Sequence, residues 1–592
     1  MIDERKGKLM KEKTTHVIGT LLKSVREYKK LTILTPLFVS LEVVLECIIP
    51  YVMAKLIDSM NTGDMRIIGM YSAILIALAL CSLFCGTASA RCGATASAGF
   101  AKNLRQDLFF KVQDLSFADI DLFSTSSLVT RLTTDVTNVQ NSFQMVIRIA
   151  VRTPLMLIFS VIMCLTVNSR MALIYLAILP VLAVSLLAIA SSVHKIFTRI
   201  FKEYDAMNDS VQENVAGIRV VKAFVREEYE KKKFGKASED VRRDFVHADS
   251  ILALNSPIMM FCIYVSMLLV SWFGASLIIS SRETEMTTGE LSSVISYGVQ
   301  ILSAMMMLSF MFVMAAMAIE SCERIAKVIN HQSTLRSPEN GITQVPDGSV
   351  SFRNVSFKYG EKANKNALED INIEIKSGQT VGIIGSTGSS KTTLIQLISR
   401  LYDCTEGEVL VGGHNVKDYD LVSLRDAVAV VLQKNVVFSG TIKENMRWGN
   451  KNATDEEIIH ACKLAQADEF ISAMPDKYDT YIERGGTNVS GGQKQRLCIA
   501  RALLKKPRII ILDDSTSAVD TKTDALIRQA FAKEIPDTTK IIIAQRTSSV
   551  ENADMILVLD GGRIAEQGTH EELIARGGIY SEVYYSQTRK EA

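Results

Sequence analysis

The stretch "GSTGSSKTTLIQLI", Gly385 to Ile398, decides how the second half of this chain folds. Ahead of it "ALEDINIEIKSGQTVGIIG" reads as a strand, a Ser-Gly-Gln turn and a second, fully apolar strand, and "SVSFRNVSFKYG" before that alternates apolar and polar residues. The apolar strand runs into the small residues Gly385, Ser386, Thr387, Gly388, Ser389 and Ser390, and Lys391, Thr392 and Thr393 then open an apolar helix. In such a strand–loop–helix unit the loop amides and the helix N-terminus face an anion, the lysine reaches terminal phosphates, and the first threonine hydroxyl suits Mg²⁺. The spacing GxxxxGK[ST] is met except at its second glycine, which is Ser390.

The first half is built for another solvent. A chain of 592 residues has room for several domains, its net charge of +2 gives a nucleic-acid partner no electrostatic support, and its 48% hydrophobic residues are crowded toward the N-terminus. Runs long enough to cross a ~30 Å hydrocarbon layer lie near Leu31 to Met53, Ile67 to Gly86, Met145 to Val167, Met171 to Ala190, Pro257 to Ile279 and Val294 to Ala318. The connections near 87–144 and 191–256 are long and rich in Lys and Arg, such as Arg105, Lys111, Arg131, Lys202, Arg226 and Lys231 to Lys233. Basic loops stay in the cytoplasm, so both termini and the second half are expected there. The long loops keep helical periodicity and read as helices continuing past the bilayer. "SFADIDLFSTSSLVTRL" (Ser116 to Leu132) and "QENVAGIRVVKAF" (Gln212 to Phe224) interrupt them, either as solvated turns or as short docking elements at the hairpin tips. Residues 1–30 lack an apolar stretch with a cleavage site and read as a basic entry helix on the cytoplasmic membrane surface. The expected division is thus an entry helix over 1–30, a transmembrane domain over 31–330, a linker over 331–348 and a nucleotide-binding domain over 349–592.

Two features of the membrane half invite a functional reading. Glu42 and Glu46 lie four apart inside the first span, where acids face a partner or a wet cavity. They are either a pair tied to donors on neighbouring helices or a polar wall of a translocation pathway. Phe310 and Met305 to Met307 in the last span suit either packing or an amphipathic cargo. Ten cysteines form no CxxC pair or metal-spaced cluster, and Cys81 and Cys85 read as core packing.

Farther along, "NVSGGQKQRLCIARALLKKPRIIILDDSTSAVD" (Asn488 to Asp520) resembles the signature helix, Walker B strand and D-loop of an ATP-binding-cassette ATPase. With six preceding spans, the whole chain resembles a half-transporter of the ABC exporter family. That resemblance implies an all-α six-helix transmembrane domain with long cytoplasmic helical extensions, followed by an α/β P-loop ABC ATPase domain. It implies that ATP and Mg²⁺ are bound: Tyr359 stacking on adenine, Gln433 in "VVLQKN" touching Mg²⁺ and the loop tips, Asp513 holding the metal, and Ser517 to Asp520 forming the D-loop. It implies also that Ser490, Gly491, Gly492 and Gln493 clamp a nucleotide held by a second ATPase domain.

Three residues depart from the family pattern. The position after Asp513, normally a glutamate that polarises the attacking water, is Asp514; the H-loop "IIIAQRTSSV" has Gln545 for histidine; and Ser390 replaces a glycine. Aspartate is one methylene shorter on a fixed strand end, and an amide cannot take the charged form of an imidazole. Each change alone is compatible with neutral drift, but together they bear on one site whose binding residues survive. The chain therefore resembles the degenerate-site subunit of bacterial heterodimeric multidrug exporters. The expected partners are a second half-transporter with intact catalytic Glu and His, membrane lipid and an amphipathic small-molecule cargo, with no nucleic acid, in a bacterial plasma membrane. Export of a lipid or peptide, and an ATP-gated channel or regulator, are the alternatives.

Overall fold

The computed structural model describes residues 17–60, 63–360, 365–514 and 520–591. They fall into two compact units: one formed by residues up to Asp114 together with Thr125–His331, the other by Leu115–Ser124 together with residues from Gln332 onward. The sequence division grouped 115–124 with the spans. It belongs to the second unit because Asp119 there accepts hydrogen bonds from the Ser333 hydroxyl at 3.0 Å and the Thr334 amide at 3.3 Å.

The first unit is helical. Its main members are α1 (Lys29–Met60), α2 (Met65–Gln113), then, beyond the short α3 (Phe117–Phe123) of the second unit, α4 (Val136–Val167), α5 (Ser169–Ala216), α6 (Ile218–Ala223), α7 (Glu227–Ala253), α8 (Asn255–Ser281) and α9 (Thr288–Asn330). Among the described residues six helices are long and apolar enough to cross a membrane, and every expected span falls on one of them. The helices outrun the bilayer: the 49 residues of α2 extend about 75 Å at ~1.5 Å per residue. Pro36, Pro50, Pro154 and Pro180 lie inside helices, which membrane helices tolerate when neighbours re-satisfy the freed backbone groups.

The entry segment differs from the continuous surface helix expected. Residues 1–16 lie outside the described residues, Lys23–Tyr28 is a 3₁₀ turn, and Arg26 breaks the helical path with φ of 41°. Its apolar residues Val17, Leu21 and Val25 are buried within the unit, and the Ser24 hydroxyl donates to Asp107 on α2 at 2.6 Å.

Glu42 and Glu46 converge on a cation that the sequence reading did not connect to them. Arg152 of α4 donates to Glu42 Oε1 at 2.5 Å and to both oxygens of Glu46 at 2.9 and 2.7 Å. Glu42 is 7% exposed, and Gly86 of α2 makes room for it, since a Cβ there would lie 2.9 Å from its Oε1. One guanidinium spanning two carboxylates ties α1 to α4. At the opposite end of α1, Asp58 accepts from the Thr287 hydroxyl at 2.8 Å and the Gly289 amide at 2.9 Å, closing α1 on the start of α9.

The second unit is an α/β domain built on two main sheets. Its strands are β1 (Val350–Phe357), β2 (Leu368–Ile375), β3 (Thr380–Gly385), β4 (Glu406–Val411), β5 (His414–Asn415), β6 (Val428–Val431), the small pair β7 (Gly440–Thr441) and β8 (Tyr481–Ile482), β9 (Ile509–Asp513), β10 (Thr539–Ile543), β11 (Met555–Asp560) and β12 (Arg563–Gly568). An antiparallel sheet runs β2-β1-β4-β5, and a larger one runs β12-β11-β3-β10-β9-β6 with all pairings parallel except β11 with β12. The helices that matter below are α10 (Lys391–Ile398), α11 (Gly491–Leu504), α12 (Thr521–Glu534) and α13 (Ile579–Glu591). Strand β9 is apolar up to its terminal Asp513, as suits a strand with both faces covered: Ile510 and Leu512 enter one hydrophobic core, Ile509 and Ile511 the other. Strand β10 divides in the same way, with Ile542 on one side and Ile541 and Ile543 on the other.

Arg152→Met should leave Glu42 and Glu46 without their cation and lower stability by about 3–5 kcal/mol. Thermal unfolding of the detergent-purified protein reads this as a lower midpoint, and the neutral triple variant Glu42→Gln, Glu46→Gln, Arg152→Met should recover most of the loss.

Candidate nucleotide site

Four parallel strands deliver the site from their carboxyl ends, where ligands bind in open α/β sheets. In the order β3, β10, β9, β6 they bring the loop after Gly385, then Gln545, then Asp513 and Asp514, then Gln433. Register places them side by side, with Asp513 opposite Ile543 and Ile543 opposite Ile383. The last residue of β3, Gly385, has no room for a side chain: a Cβ there would lie 2.2 Å from the Leu559 carbonyl oxygen of β11.

The loop itself is closed by the Ser389 amide on the Ser386 carbonyl at 3.2 Å, and a Cβ built on Gly388 would enter open space. The Lys391 ammonium folds back over this loop, donating to the carbonyls of Gly385 and Ser386 at 2.8 and 2.7 Å and to the Ser389 hydroxyl at 3.2 Å. Ser390 has φ of 69° and ψ of 25°, the left-handed conformation that glycine adopts without penalty. The substitution thus keeps the loop geometry and stores strain in it, at about 1–2 kcal/mol for an L-residue.

Thr392 and Asp513 form the metal-compatible pair. The Thr392 hydroxyl donates to Asp513 Oδ2 at 2.9 Å, so two hard oxygens of the kind Mg²⁺ prefers already lie together. Asp513 is 3% exposed; burial pushes its carboxyl above the ordinary aspartate range, opposed by the Thr392 bond. Burial pulls the Lys391 ammonium below the ordinary lysine range, with Asp513 and Asp514 opposing. An anion carrying a divalent cation fits these two groups, because it supplies to each the opposite charge that burial withholds.

Asp514 follows the strand end with φ of 47°, a conformation aspartate tolerates better than most residues. Its Oδ2 accepts from the Gln545 amide at 2.7 Å and from the Gln433 amide at 3.3 Å. The three residues from three strand ends therefore meet on one carboxylate oxygen. Gln545 is held in turn by Gln587 of α13, which donates to the Gln545 carbonyl at 2.9 Å and accepts from the Thr547 amide and hydroxyl at 2.9 and 3.0 Å. Gln587 carries no motif and was not found from sequence.

Tyr359 is half exposed, and its hydroxyl lies 2.8 Å from the Thr393 hydroxyl and donates to Gln396 Oε1 at 3.3 Å on α10. Ser490 caps α11 reciprocally with Gln493: the Ser490 hydroxyl accepts from the Gln493 amide at 3.3 Å, and the Gln493 side chain accepts from the Ser490 amide at 2.9 Å. Gly491 and Gly492 form the first turn behind this cap. Asp520 caps α12, accepting from the Thr523 amide at 3.0 Å, whereas Ser517 to Val519 of the expected D-loop lie outside the described residues.

Ser390→Gly should relieve the left-handed strain, against ~0.4–1 kcal/mol returned to the unfolded chain by glycine. The net gain of about 0.5–1 kcal/mol raises the unfolding midpoint of the ATPase unit by roughly 1–4 °C, read by scanning calorimetry. Affinity for Mg²⁺–nucleotide should fall on both sides of neutrality: on the acid side as Asp513 protonates through its raised range, on the alkaline side as Lys391 loses its charge through its lowered range. Fluorescent-nucleotide titration across pH checks this, and Asp513→Asn should weaken binding and reduce the acid limb to what protonation of the nucleotide's own terminal phosphate accounts for.

Comparison with known proteins agrees with this geometry. Residues 32–319 match the family model described as the ABC transporter transmembrane region, and residues 368–517 match that described as ABC transporter. The uncharacterised ABC transporter ATP-binding protein YfiB of Bacillus subtilis is 35% identical, covering 96% of this chain and 98% of the relative. The uncharacterised protein Rv1273c of Mycobacterium tuberculosis is 32% identical over 97% of this chain and 98% of its own. A solved bacterial Atm1-family ABC exporter with ATP bound shares the fold with a TM-score of 0.81, at 24% identity over 95% of this chain and 98% of that one. An integral membrane unit fused to an ATPase unit that implies ATP binding, matched end to end by these relatives, makes this chain an ABC half-transporter.

Proposed function

We propose that this chain is the degenerate-site half of a heterodimeric ABC exporter that moves amphipathic small molecules out across a bacterial plasma membrane. The observation that carries this reading is the sharing of Asp514 Oδ2 by the amides of Gln545 and Gln433. A general base must present an oxygen within ~2.6–3.2 Å of the attacking water. Here the shorter acid is turned toward two amide donors at the strand ends, one of them the side chain at the H-loop position, Gln545.

In this reading Lys391, the loop amides of 385–390 and Tyr359 bind and orient ATP, and Thr392, Asp513 and Gln433 hold Mg²⁺. The metal, when bound, neutralises charge on the phosphoryl oxygens. Asp514 and Gln545 hold the nucleotide's surroundings without supplying an efficient base, so turnover at this site is slow. Ser490 to Gln493, ordered on the N-terminus of α11, serve the other half's site, where the partner's own glutamate and histidine do the chemistry. Half-transporters of this kind work as dimers, and α6 and its flank offer exposed apolar residues for such an assembly: Val220 is 60% exposed and Phe224 73%. Cargo passes between the helical units; Glu42 and Glu46, both engaged by Arg152, serve the scaffold of that path.

Asp514→Glu together with Gln545→His should raise ATP turnover by the purified chain, on the order of 100-fold for an acid brought ~1 Å closer to its task. Brisk hydrolysis and vesicle uptake by the unmodified chain assembled with copies of itself, or no gain from either single change or the pair, would overturn the reading. ATP-dependent accumulation of dye in inverted vesicles, rather than passive ATP-gated flux, separates export from a channel.

A further inference from the structure

The hairpin-tip helix α3 is joined to the nucleotide site by a continuous run of side chains. Ser116 caps it through a capping box with Asp119, which fixes the helix on the Ser333–Thr334 segment. Two turn positions on, Asp121 Oδ2 accepts from the Tyr402 hydroxyl at 2.8 Å, and the Phe117 ring lies 6.3 Å from the Tyr402 ring. Tyr402 is 8% exposed and meets Tyr359 edge-to-face at 5.3 Å and Phe357 at 5.6 Å. Tyr359 in turn shares a hydroxyl contact with Thr393, the neighbour of the metal-compatible Thr392.

Each link has a preferred geometry. Edge-to-face aromatic pairs are directional, and a hydroxyl–carboxylate bond is charge-assisted. Burial and the Asp121 bond push the Tyr402 phenol well above its usual range, so it remains a donor throughout the working pH range. A base stacked on the open half of Tyr359 therefore constrains that ring, and the constraint reaches α3 within two side chains.

We propose that Tyr402 is a positioning residue that reports occupancy of the Tyr359 base platform to α3 through its bond to Asp121, so that α3 is held more firmly when nucleotide is bound. The inference rests on the reading of Tyr359 as the base platform. It adds a path from the base end of the nucleotide, distinct from the phosphate end served by Gln433.

Hydrogen–deuterium exchange on the full chain, with and without Mg²⁺–ATP, tests it. In the unmodified protein, ATP should slow exchange at least threefold both in the phosphate loop, 385–392, and in the tip, 116–124. Tyr402→Phe and Asp121→Ala should keep the loop protection and lose that of the tip, while Asp121→Asn, which retains an oxygen acceptor, should restore part of it. Tip protection that persists unchanged in Tyr402→Phe and Asp121→Ala, tip protection absent from the unmodified protein, or loss of loop and tip protection together in the variants, overturns the proposal. Absence of loop protection in the unmodified protein instead overturns the nucleotide-site reading on which it rests.

Discussion

Strand β9 is covered on both faces, and that double cover sets the chemistry at its end. With Ile510 and Leu512 in one core and Ile509 and Ile511 in the other, the strand has no freedom to rotate or slip. A one-residue slip would exchange its two faces, and register is strongly specified where packing differs on each side. Asp513 and Asp514 therefore leave the sheet at positions that this packing sets. Strand β10, divided between the same two cores, fixes Gln545 with equal firmness.

Against that frame each of the three departures has a definite local geometry. Ser390 keeps the left-handed turn of the phosphate loop, Asp514 takes a left-handed turn directly after the strand, and Gln545 supplies the amide that Asp514 accepts. The binding half of the site, Lys391 with Thr392 and Asp513, is organised independently of that cluster by its own hydrogen bonds.

Much of this architecture was legible from residues that obey local rules. The spans follow from runs of apolar side chains as long as a bilayer requires, the phosphate loop from small residues between an apolar strand and an apolar helix, and the α11 start from the signature residues Ser490 to Gln493. What escaped depends on contacts between residues far apart in the chain. Arg152 lies more than a hundred positions from Glu42, Tyr402 lies 281 from Asp121, and Gln587 lies 42 from Gln545. None belongs to a pattern, so periodicity and spacing carry no trace of them. The placement of Leu115–Ser124 with the ATPase unit is of the same kind: the break at the hairpin tip was readable, its bonds to Ser333 and Thr334 were not.

The clamp by Gln587 has a consequence for the hold on Gln545. One side-chain amide engages this segment at two points, the Gln545 carbonyl and, two residues on, the amide and hydroxyl of Thr547. Displacing α13 would therefore break three hydrogen bonds together and loosen the residue whose side chain meets Asp514.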